Sequence, residues 1–400
     1  HFERNFGNVT FNVIQNPPNY AVLSLFGGVD FPTIAVSNSN AGPLSGSTGS
    51  KALPAVSLRA VDPNIKTAYV DSFSAAIEHK FAANILGAIE FAGSRGENQY
   101  GIANINKTGS SAYYLGTPCK PGGPGDVGTC GTRLVSSRFS NINFRTNGGF
   151  ADYNALNTRL NWRSTAHLTM QVNYTWSHAI DTLSDTFSSS GNQQNLGWID
   201  PFHPEIDKGD AYYDLRQRVS VSAIYDIKFK TSNAFVKHAL SNWSLIPIFQ
   251  AYTGSPFSLY DCTNAYTVCP YGMFTKAPTS TPLTATATPN IYNYLDVSKI
   301  VDSSYGSPLV GASDFGPFPK NMIGRNAFRT PGIWNLDFAV HKNFDFSERV
   351  KLSARGEFFN VFNHPNLLTN VGDSDVSSID FVSASYSGRR QVRLGLRLSF

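Results

Sequence analysis

The last ten residues, Gln391–Phe400, read QVRLGLRLSF and alternate between polar and apolar side chains. The apolar side chains fall on every second position: Val392, Leu394, Leu396, Leu398 and Phe400. Because successive side chains of a β-strand point to opposite faces, this pattern predicts a strand with one apolar and one polar side. A tilted strand of about ten residues is also long enough to cross a lipid bilayer.

The same alternation recurs upstream and predicts four antiparallel hairpins. Their paired segments are 69–81 with 84–93, 153–162 with 167–176, 218–227 with 243–252, and 333–342 with 351–358. Pro247 should weaken the strand that contains it, because proline cannot donate a hydrogen bond to a neighbouring strand.

The polar faces of the last three predicted strands carry charged side chains. These are Asp337, Arg355, Glu357, Arg393 and Arg397. A charge on a lipid-facing position would cost roughly 2–4 kcal/mol in mid-bilayer, whereas a lumen that holds water or a polar plug solvates it. We therefore predict that these five residues face a lumen, as a structural charge network rather than as direct substrate contacts. Periodicity alone is equally compatible with a soluble antiparallel sheet that has one wet face.

The composition favours a β-barrel in a membrane over a soluble domain. Charged residues make up 15% of the 400 residues and aromatic residues 13%, with a mean hydropathy of −0.19. Soluble domains carry about 25% charged residues. No segment approaches the roughly 18 consecutive apolar residues of a transmembrane helix. The net charge of +4 is spread along the chain, so no nucleic-acid partner is predicted.

The connections between the predicted strands alternate between short and long. The short or modest ones are 344–350, 228–241 and 163–165, and the long ones are 254–331, 179–215 and 94–151. Long structureless loops are uncommon in compact soluble domains. Outer-membrane barrels have short periplasmic turns and long extracellular loops. The predicted fold is therefore all-β, an antiparallel transmembrane outer-membrane β-barrel.

Aromatic residues near the predicted strand ends fit this fold. Tyr153, Trp162, Tyr174 and Trp176 lie where the aromatic girdles of a barrel meet the membrane interface.

The four cysteines fall in the long connections as two close pairs, Cys119 with Cys130 and Cys262 with Cys269. Neither pair has the CxxC spacing of a zinc or redox site. We predict two loop disulfides, formed in an oxidising compartment outside the cytoplasm. Four unreacted thiols are the alternative.

No catalytic motif such as GxSxG, HExxH or a phosphate-binding loop is present, and we predict neither an enzyme nor a cofactor. The most metal-like patch is the group Asp200, His203, Glu205, Asp207 and Asp210. Such oxygen-rich loops can bind calcium or another hard cation. A solvated charged loop is the preferred interpretation, and no metal site is predicted.

Several segments resemble the barrel of TonB-dependent receptors of the Oar-like group, which have a carboxypeptidase-regulatory-like domain at their N-terminus. The segments are 153–185, 214–227, 325–344, 353–367 and 390–400. Residues 66–99 resemble an earlier hairpin of the same barrels. The chain is thus expected to be barrel over 66–400 and irregular over 1–65.

The resemblance implies that this chain is the C-terminal part of a larger barrel. We count about nine to eleven strands, where barrels of this type have about 22. Half a barrel would leave two unsatisfied edges in lipid, so a plug domain and further strands are expected before His1. Phe400 would belong to the signal read by the barrel-assembly machinery.

The function implied by the resemblance is uptake of a bulky nutrient, such as a siderophore, glycan or peptide. The expected partners are outer-membrane lipid, the plug, the TonB machinery and an unidentified substrate. A passive porin, or a secreted or surface adhesin, is the alternative.

Overall fold

The computed structural model describes residues 2–4, 57–106, 135–139, 141–164, 167–185, 197–198, 204–228, 232–233, 236, 239–258, 273–274, 300–301, 324–347, 349–370 and 383–400. Its strands are β1 (Phe2–Arg4), β2 (Leu58–Val61), β3 (Ala68–Ala82), β4 (Ile85–Asn104), β5 (Ile142–Ser164), β6 (Leu168–Asp181), β7 (Gly209–Asp210), β8 (Gln217–Ile227), β9 (Trp243–Tyr252), β10 (Pro256–Phe257), β11 (Met273–Phe274), β12 (Ile300–Val301), β13 (Phe328–Arg329), β14 (Ile333–Asp345), β15 (Lys351–Phe359), β16 (Asn366–Asn370), β17 (Ser383–Ser387) and β18 (Gln391–Ser399). A short 3-10 helix covers Pro204–Asp207.

One twelve-stranded sheet contains all the long strands, in the order β1-β3-β4-β5-β6-β8-β9-β14-β15-β18. Its other two strands lie outside this order, β2 beside β5 and β7 beside β6. Consecutive long strands pair antiparallel, and the four predicted hairpins are confirmed as β3–β4, β5–β6, β8–β9 and β14–β15. Among the described residues nine strands have nine or more residues, namely β3, β4, β5, β6, β8, β9, β14, β15 and β18. The all-β antiparallel prediction is therefore confirmed.

The register places apolar side chains opposite apolar side chains from strand to strand. Leu394 lies opposite Gly356, which lies opposite Val340, and Val340 lies opposite Leu245. Directly opposed residues of an antiparallel pair share a face of the sheet. The apolar face of β18 thus continues across β15, β14 and β9, and the polar residues between these positions form the other face.

Strands β4 and β5 are 20 and 23 residues long, and they extend into the segment 94–151 that was predicted to be a loop. The extension is interrupted by register shifts between Gly96 and Gln99 and between Gln99 and Gly101. Beyond the lipid neither face of a strand has to be apolar, so polar–apolar alternation is no longer required. The sequence therefore lacked the signal that had identified the lower parts of these strands.

Pro247 interrupts β9 only locally. The β9–β14 register runs without a gap from Trp243 to Tyr252, including the pair Pro247–Phe338. The β8–β9 register, in contrast, skips the two positions opposite Ile246 and Pro247. The missing N–H of proline accounts for this gap.

The prediction that Tyr153 belongs to an aromatic girdle is wrong. The partners of Tyr153 in the register are Ser94 and Ala179, and it shares the face of Asn157 rather than that of Leu156. It therefore lies on the polar face, whereas Trp162, Tyr174 and Trp176 lie on the apolar face.

Lys342 is a charged residue on the apolar face, directly opposite Trp243. Its side chain is buried, and its ammonium donates to the carbonyl oxygens of Ser241 and Ala239. The ammonium also lies 5.1 Å from the ring centroids of Trp243 and Phe344. Lysine can cover apolar surface with its methylene groups while its charge reaches polar groups at the sheet's end.

The connections are short at one end of the sheet and long at the other. The short ones are 83–84, 165–167, 228–242 and 346–350, and the long ones are 105–141, 182–216, 253–332 and 360–390. We call the end with the long connections the loop end. The four cysteines lie outside the described residues, so the two disulfides stay predictions. Within the described ranges, no helix has the length and apolar character needed to cross a membrane.

Candidate functional site

The five predicted lumen-facing residues all lie on the polar face, on β14, β15 and β18. Asp337 is held in place by two hydrogen bonds. Its carboxylate accepts hydrogen bonds from Asn335 Nδ2 at 2.6 Å and from the backbone N–H of Asn360 at 2.9 Å. Asp337 thus closes the turn that follows β15.

The other four residues form a loose, exposed group on β15 and β18. Arg355 Nε lies 3.9 Å from Glu357 Oε1, and the Arg355 side chain is 63% exposed. The guanidinium of Arg393 lies 5.0 Å from the Phe359 ring centroid, and Arg397 is opposite Ser353. Exposed pairs at such distances contribute little to stability. This group forms a polar surface rather than a preorganised binding site.

A second polar group on the same face, which the sequence did not single out, lies on β3 to β6. Arg159 Nη2 donates to Glu78 Oε2 at 3.0 Å, and Asn157 Nδ2 donates to Glu90 Oε2 at 3.2 Å. Thr175 Oγ1 donates to Asn157 Oδ1 at 2.9 Å. Polar contacts across neighbouring strands therefore continue over much of this face.

The most tightly bonded polar cluster lies at the loop end, and sequence reasoning missed it. We call it the loop-end ion network, and its members are His178, Asp181, Asp207, Asp210, Asp214, Arg216, Arg325 and Arg329. They come from the end of β6, from the connection 182–216, and from the segment around β13. The network therefore joins two long connections, through residues such as Arg325 and Asp207 that are 118 positions apart in sequence.

Arg325 is the buried centre of one half of the network. Its side chain is 8% exposed, that of Asp181 is 2% exposed, and the two form an ion pair. Arg325 also donates to the carbonyl oxygen of Asp181 at 2.9 Å, to that of Asp207 at 2.5 Å and to Ser184 Oγ at 3.2 Å. Burial lowers the pKa of Arg325 to about 9, which leaves it protonated at neutral pH beside the Asp181 carboxylate.

The other half of the network is built on two carboxylates. The Asp210 carboxylate accepts hydrogen bonds from Arg216 Nη2 at 2.9 Å and from Arg329 Nη2 at 2.6 Å. His178 Nε2 lies 2.9 Å from Asp210 Oδ1. Arg216 Nε donates to Asp214 Oδ2 at 2.8 Å, and Arg329 also pairs with Asp214. Desolvation raises the pKa of Asp210, but hydrogen bonds from His178, Arg216 and Arg329 outweigh it and hold that pKa below its usual value.

Backbone groups complete the connection between the two loops. Asn326 Nδ2 donates to the carbonyl oxygen of Asp210 at 2.6 Å, and its backbone N–H donates to Ser258 Oγ at 2.9 Å. Arg329 Nη1 donates to the carbonyl oxygen of Gly254 at 3.0 Å. The network holds the two connections in a fixed relation, because each of its three arginines bonds to at least one of its carboxylates.

The network corrects the interpretation of the patch at residues 200–210 as a solvated charged loop. Asp207 is buried, and Asp210 is bonded to arginine side chains. Asp200 and His203 lie outside the described residues. Within the described parts of the chain, no group of three or more His, Cys, Asp or Glu is placed to hold a metal ion. The available signal was the concentration of Asp and Arg just beyond strand ends, in DLRQR and RNAFR.

Asp210→Asn should destabilise the full-length protein at neutral pH by about 1.5–3 kcal/mol, because hydrogen bonds to a charged acceptor are lost. The folded pKa of Asp210 lies below its ordinary 3.8, so its stabilisation is complete above that value and is lost as pH falls through the folded pKa. Unfolding of both proteins by denaturant between pH 8 and pH 3 measures this difference. We expect it to shrink only at the acidic end.

Asp345→Asn, an exposed carboxylate at the opposite end of the sheet, is the matched control and should change stability little. A difference between wild type and Asp210→Asn that vanished already near pH 6 would contradict the proposed ion pairing of Asp210.

A family model described as "Outer membrane beta barrel domain" matches residues 1–393 of the chain. The chain belongs to this family of outer-membrane β-barrels. It therefore lies in the outer membrane of a Gram-negative bacterium, where the short turns face the periplasm and the loop end faces the exterior. No curated protein matches the sequence.

Solved structures of outer-membrane proteins align with this chain at low sequence identity. The outer membrane transporter YddB from Escherichia coli has 11% identity and a TM-score of 0.44, over 86% of this chain and 34% of that one. The ferripyoverdine receptor of Pseudomonas aeruginosa has 11% identity and a TM-score of 0.40, over 84% and 28%. The ferric yersiniabactin uptake receptor FyuA from Yersinia pestis has 10% identity and a TM-score of 0.37, over 84% and 30%. This chain spans about a third of the length of each of these three proteins.

Proposed function

We propose that the chain is the C-terminal part of the barrel of a TonB-dependent receptor of the Oar-like group. Residues 66–400 would supply barrel strands and extracellular loops, and a plug domain outside this chain would occupy the lumen. The receptor would take up a bulky nutrient, such as a siderophore, glycan or peptide, by coupling to the TonB machinery. We assign it no enzymatic step.

The observation that carries the proposal is the loop-end ion network. It fixes two long extracellular connections relative to each other through arginine–carboxylate ion pairs, one of which, Arg325 with Asp181, is buried. Preorganised extracellular loops suit the capture of a large ligand, because little conformational entropy is lost on binding. The sequence resemblance over segments such as 325–344 and 353–367 supports the same assignment.

The charged polar face is proposed to contact the plug. Arg355, Glu357, Arg393 and Arg397 form a loose group on β15 and β18, and Asp337 lies on the same face. Charges of both signs that lack tight partners within their own strands suit a polar protein surface inside the lumen. In this proposal they stabilise the plug rather than bind the substrate.

Phe400 is proposed to be read by the barrel-assembly machinery. It follows β18 directly, and its side chain is 95% exposed. The cysteine pairs Cys119–Cys130 and Cys262–Cys269 are proposed to form disulfides within the extracellular loops, where they would further restrict loop motion.

A passive porin with the same fold is the second candidate, and conductance separates it from a plugged receptor. The full-length protein, purified in detergent, is inserted into planar lipid bilayers, and its binding to the purified periplasmic domain of TonB is measured separately. A receptor should show no steady open pore, because its plug fills the lumen, and it should bind the TonB domain.

A steady, ion-conducting pore together with no binding to the TonB domain would overturn the receptor proposal in favour of the porin. The matched control is the same protein with Arg138, an exposed arginine outside the charged group of β15 and β18, replaced by Gln, which should leave the closed state and TonB binding unchanged.

A further inference from the structure

Arg145 is a buried arginine that, unlike Arg325, forms no ion pair with a carboxylate of the described residues. It lies near the start of β5, towards the extracellular end, and is 7% exposed. Its Nε and Nη1 atoms are buried and have no hydrogen-bond partner in the part of the chain that the structure describes. Buried guanidinium groups are normally paired with a carboxylate or surrounded by acceptors, because an isolated charge is strongly disfavoured away from water.

A second arginine, Arg59, lies on the strand next to Arg145. Strand β2 pairs in parallel with β5, so that Val61 is opposite Arg145 and Arg59 is opposite Asn143. Residues two apart on a strand share a face, and Arg59 therefore lies on the face of Arg145. Among the described residues, the ionisable groups that act on Arg145 are Tyr100 and Arg59, and neither is a carboxylate.

Arg325 is a buried arginine with a structural role in the same chain, and its partners can be compared with those of Arg145. Its guanidinium contacts the Asp181 carboxylate and two carbonyl oxygens. Arg145 has a comparable burial but a tyrosine and a second arginine as its ionisable neighbours. Among the described residues, no carboxylate pairs with Arg145.

We propose that Arg145, together with Arg59 and Tyr100, forms an anion-binding site at the extracellular end of β2, β4 and β5. The ligand is a phosphate or carboxylate group, whose two oxygens can accept the parallel N–H donors of a guanidinium. The group belongs either to a soluble extracellular molecule or to the phosphorylated headgroup of a lipopolysaccharide. This anion-binding site does not depend on the proposal of TonB-dependent transport.

The test measures the thermal unfolding midpoint of the full-length protein in detergent. Sodium phosphate is titrated against sodium chloride at equal ionic strength, and lipopolysaccharide is added in a separate series. Wild type should show a saturable rise of the midpoint by several degrees, because a ligand that binds the folded state alone stabilises it. Arg145→Met should abolish this response.

Arg145→Met has a second expected effect that a structural arginine would not show. In chloride buffer it should leave the midpoint unchanged or raise it, because it removes a buried charge that lacks a partner. Arg145→Lys retains the charge and should keep part of the response to phosphate. Arg138→Met, an exposed arginine between β4 and β5, is the matched control and should respond like wild type.

The two series also distinguish the source of the anion. A response to phosphate that depends on Arg145 assigns a soluble ligand, and a response to lipopolysaccharide alone assigns the lipid headgroup. Destabilisation by Arg145→Met in chloride buffer would mean that the partner lies within the protein, and it would overturn the proposal. Equal responses of wild type and Arg145→Met in both series would overturn it as well.

Discussion

Arg325→Met is expected to lower the free energy of unfolding of the full-length barrel by about 3–5 kcal/mol, the usual cost of leaving one partner of a buried ion pair alone. Asp181, whose side chain is 2% exposed, would lose its cation, and the carbonyl oxygen of Asp207 would lose its donor. Denaturant unfolding of the protein in lipid vesicles measures the change. The effect should be large because water cannot easily replace the guanidinium.

A double variant distinguishes ion pairing from a simple loss of packing. Arg325→Met combined with Asp181→Asn should recover most of the lost stability, because no buried charge then lacks a partner. Arg218→Met removes an exposed arginine from the nearby start of β8 and should cost little. If the double variant were as unstable as the sum of the two single variants, the ion-pair interpretation of Arg325 would be wrong.

The strands could be predicted from the sequence wherever lipid imposes alternation. All four hairpins followed from period-two patterns, since a strand with one face in lipid and one in a polar lumen must alternate. The upper parts of β4 and β5 could not be predicted in this way, because they extend beyond the lipid, where alternation is not required. Residues such as Tyr100, Ile102 and Ala103 are instead buried within the protein there.

The loop-end ion network depends on contacts between distant segments, which a single sequence does not show. Arg325 and Asp181 are 144 residues apart, and Arg329 and Asp210 are 119 apart. Asp207 and Asp210 stood out in the sequence as part of a metal-like patch, but nothing there indicated that arginines would be their partners. The predicted charges on the polar face, in contrast, could be located because strand parity fixes the face of Arg355 or Arg393 without knowledge of its partner.

Adjacent arginine substitutions on β8 should have opposite outcomes, because neighbouring residues of a strand point to opposite faces. Val221 lies on the apolar face, opposite Val172 and Phe249, whereas Ser222 lies on the polar face, opposite Gln171 and Ile248. Val221→Arg places a charge in lipid near the middle of a strand and should cost roughly 2–4 kcal/mol. Ser222→Arg should be nearly neutral.

The measurement is the fraction of full-length protein that inserts and folds in lipid vesicles, followed by its unfolding in denaturant. Both variants introduce the same side chain at neighbouring positions, so differences in charge, size or strand propensity cancel. The comparison therefore isolates the face of the sheet. Equal damage by Val221→Arg and Ser222→Arg would show that β8 does not separate lipid from a polar lumen, because a strand between those two environments tolerates arginine on one side alone.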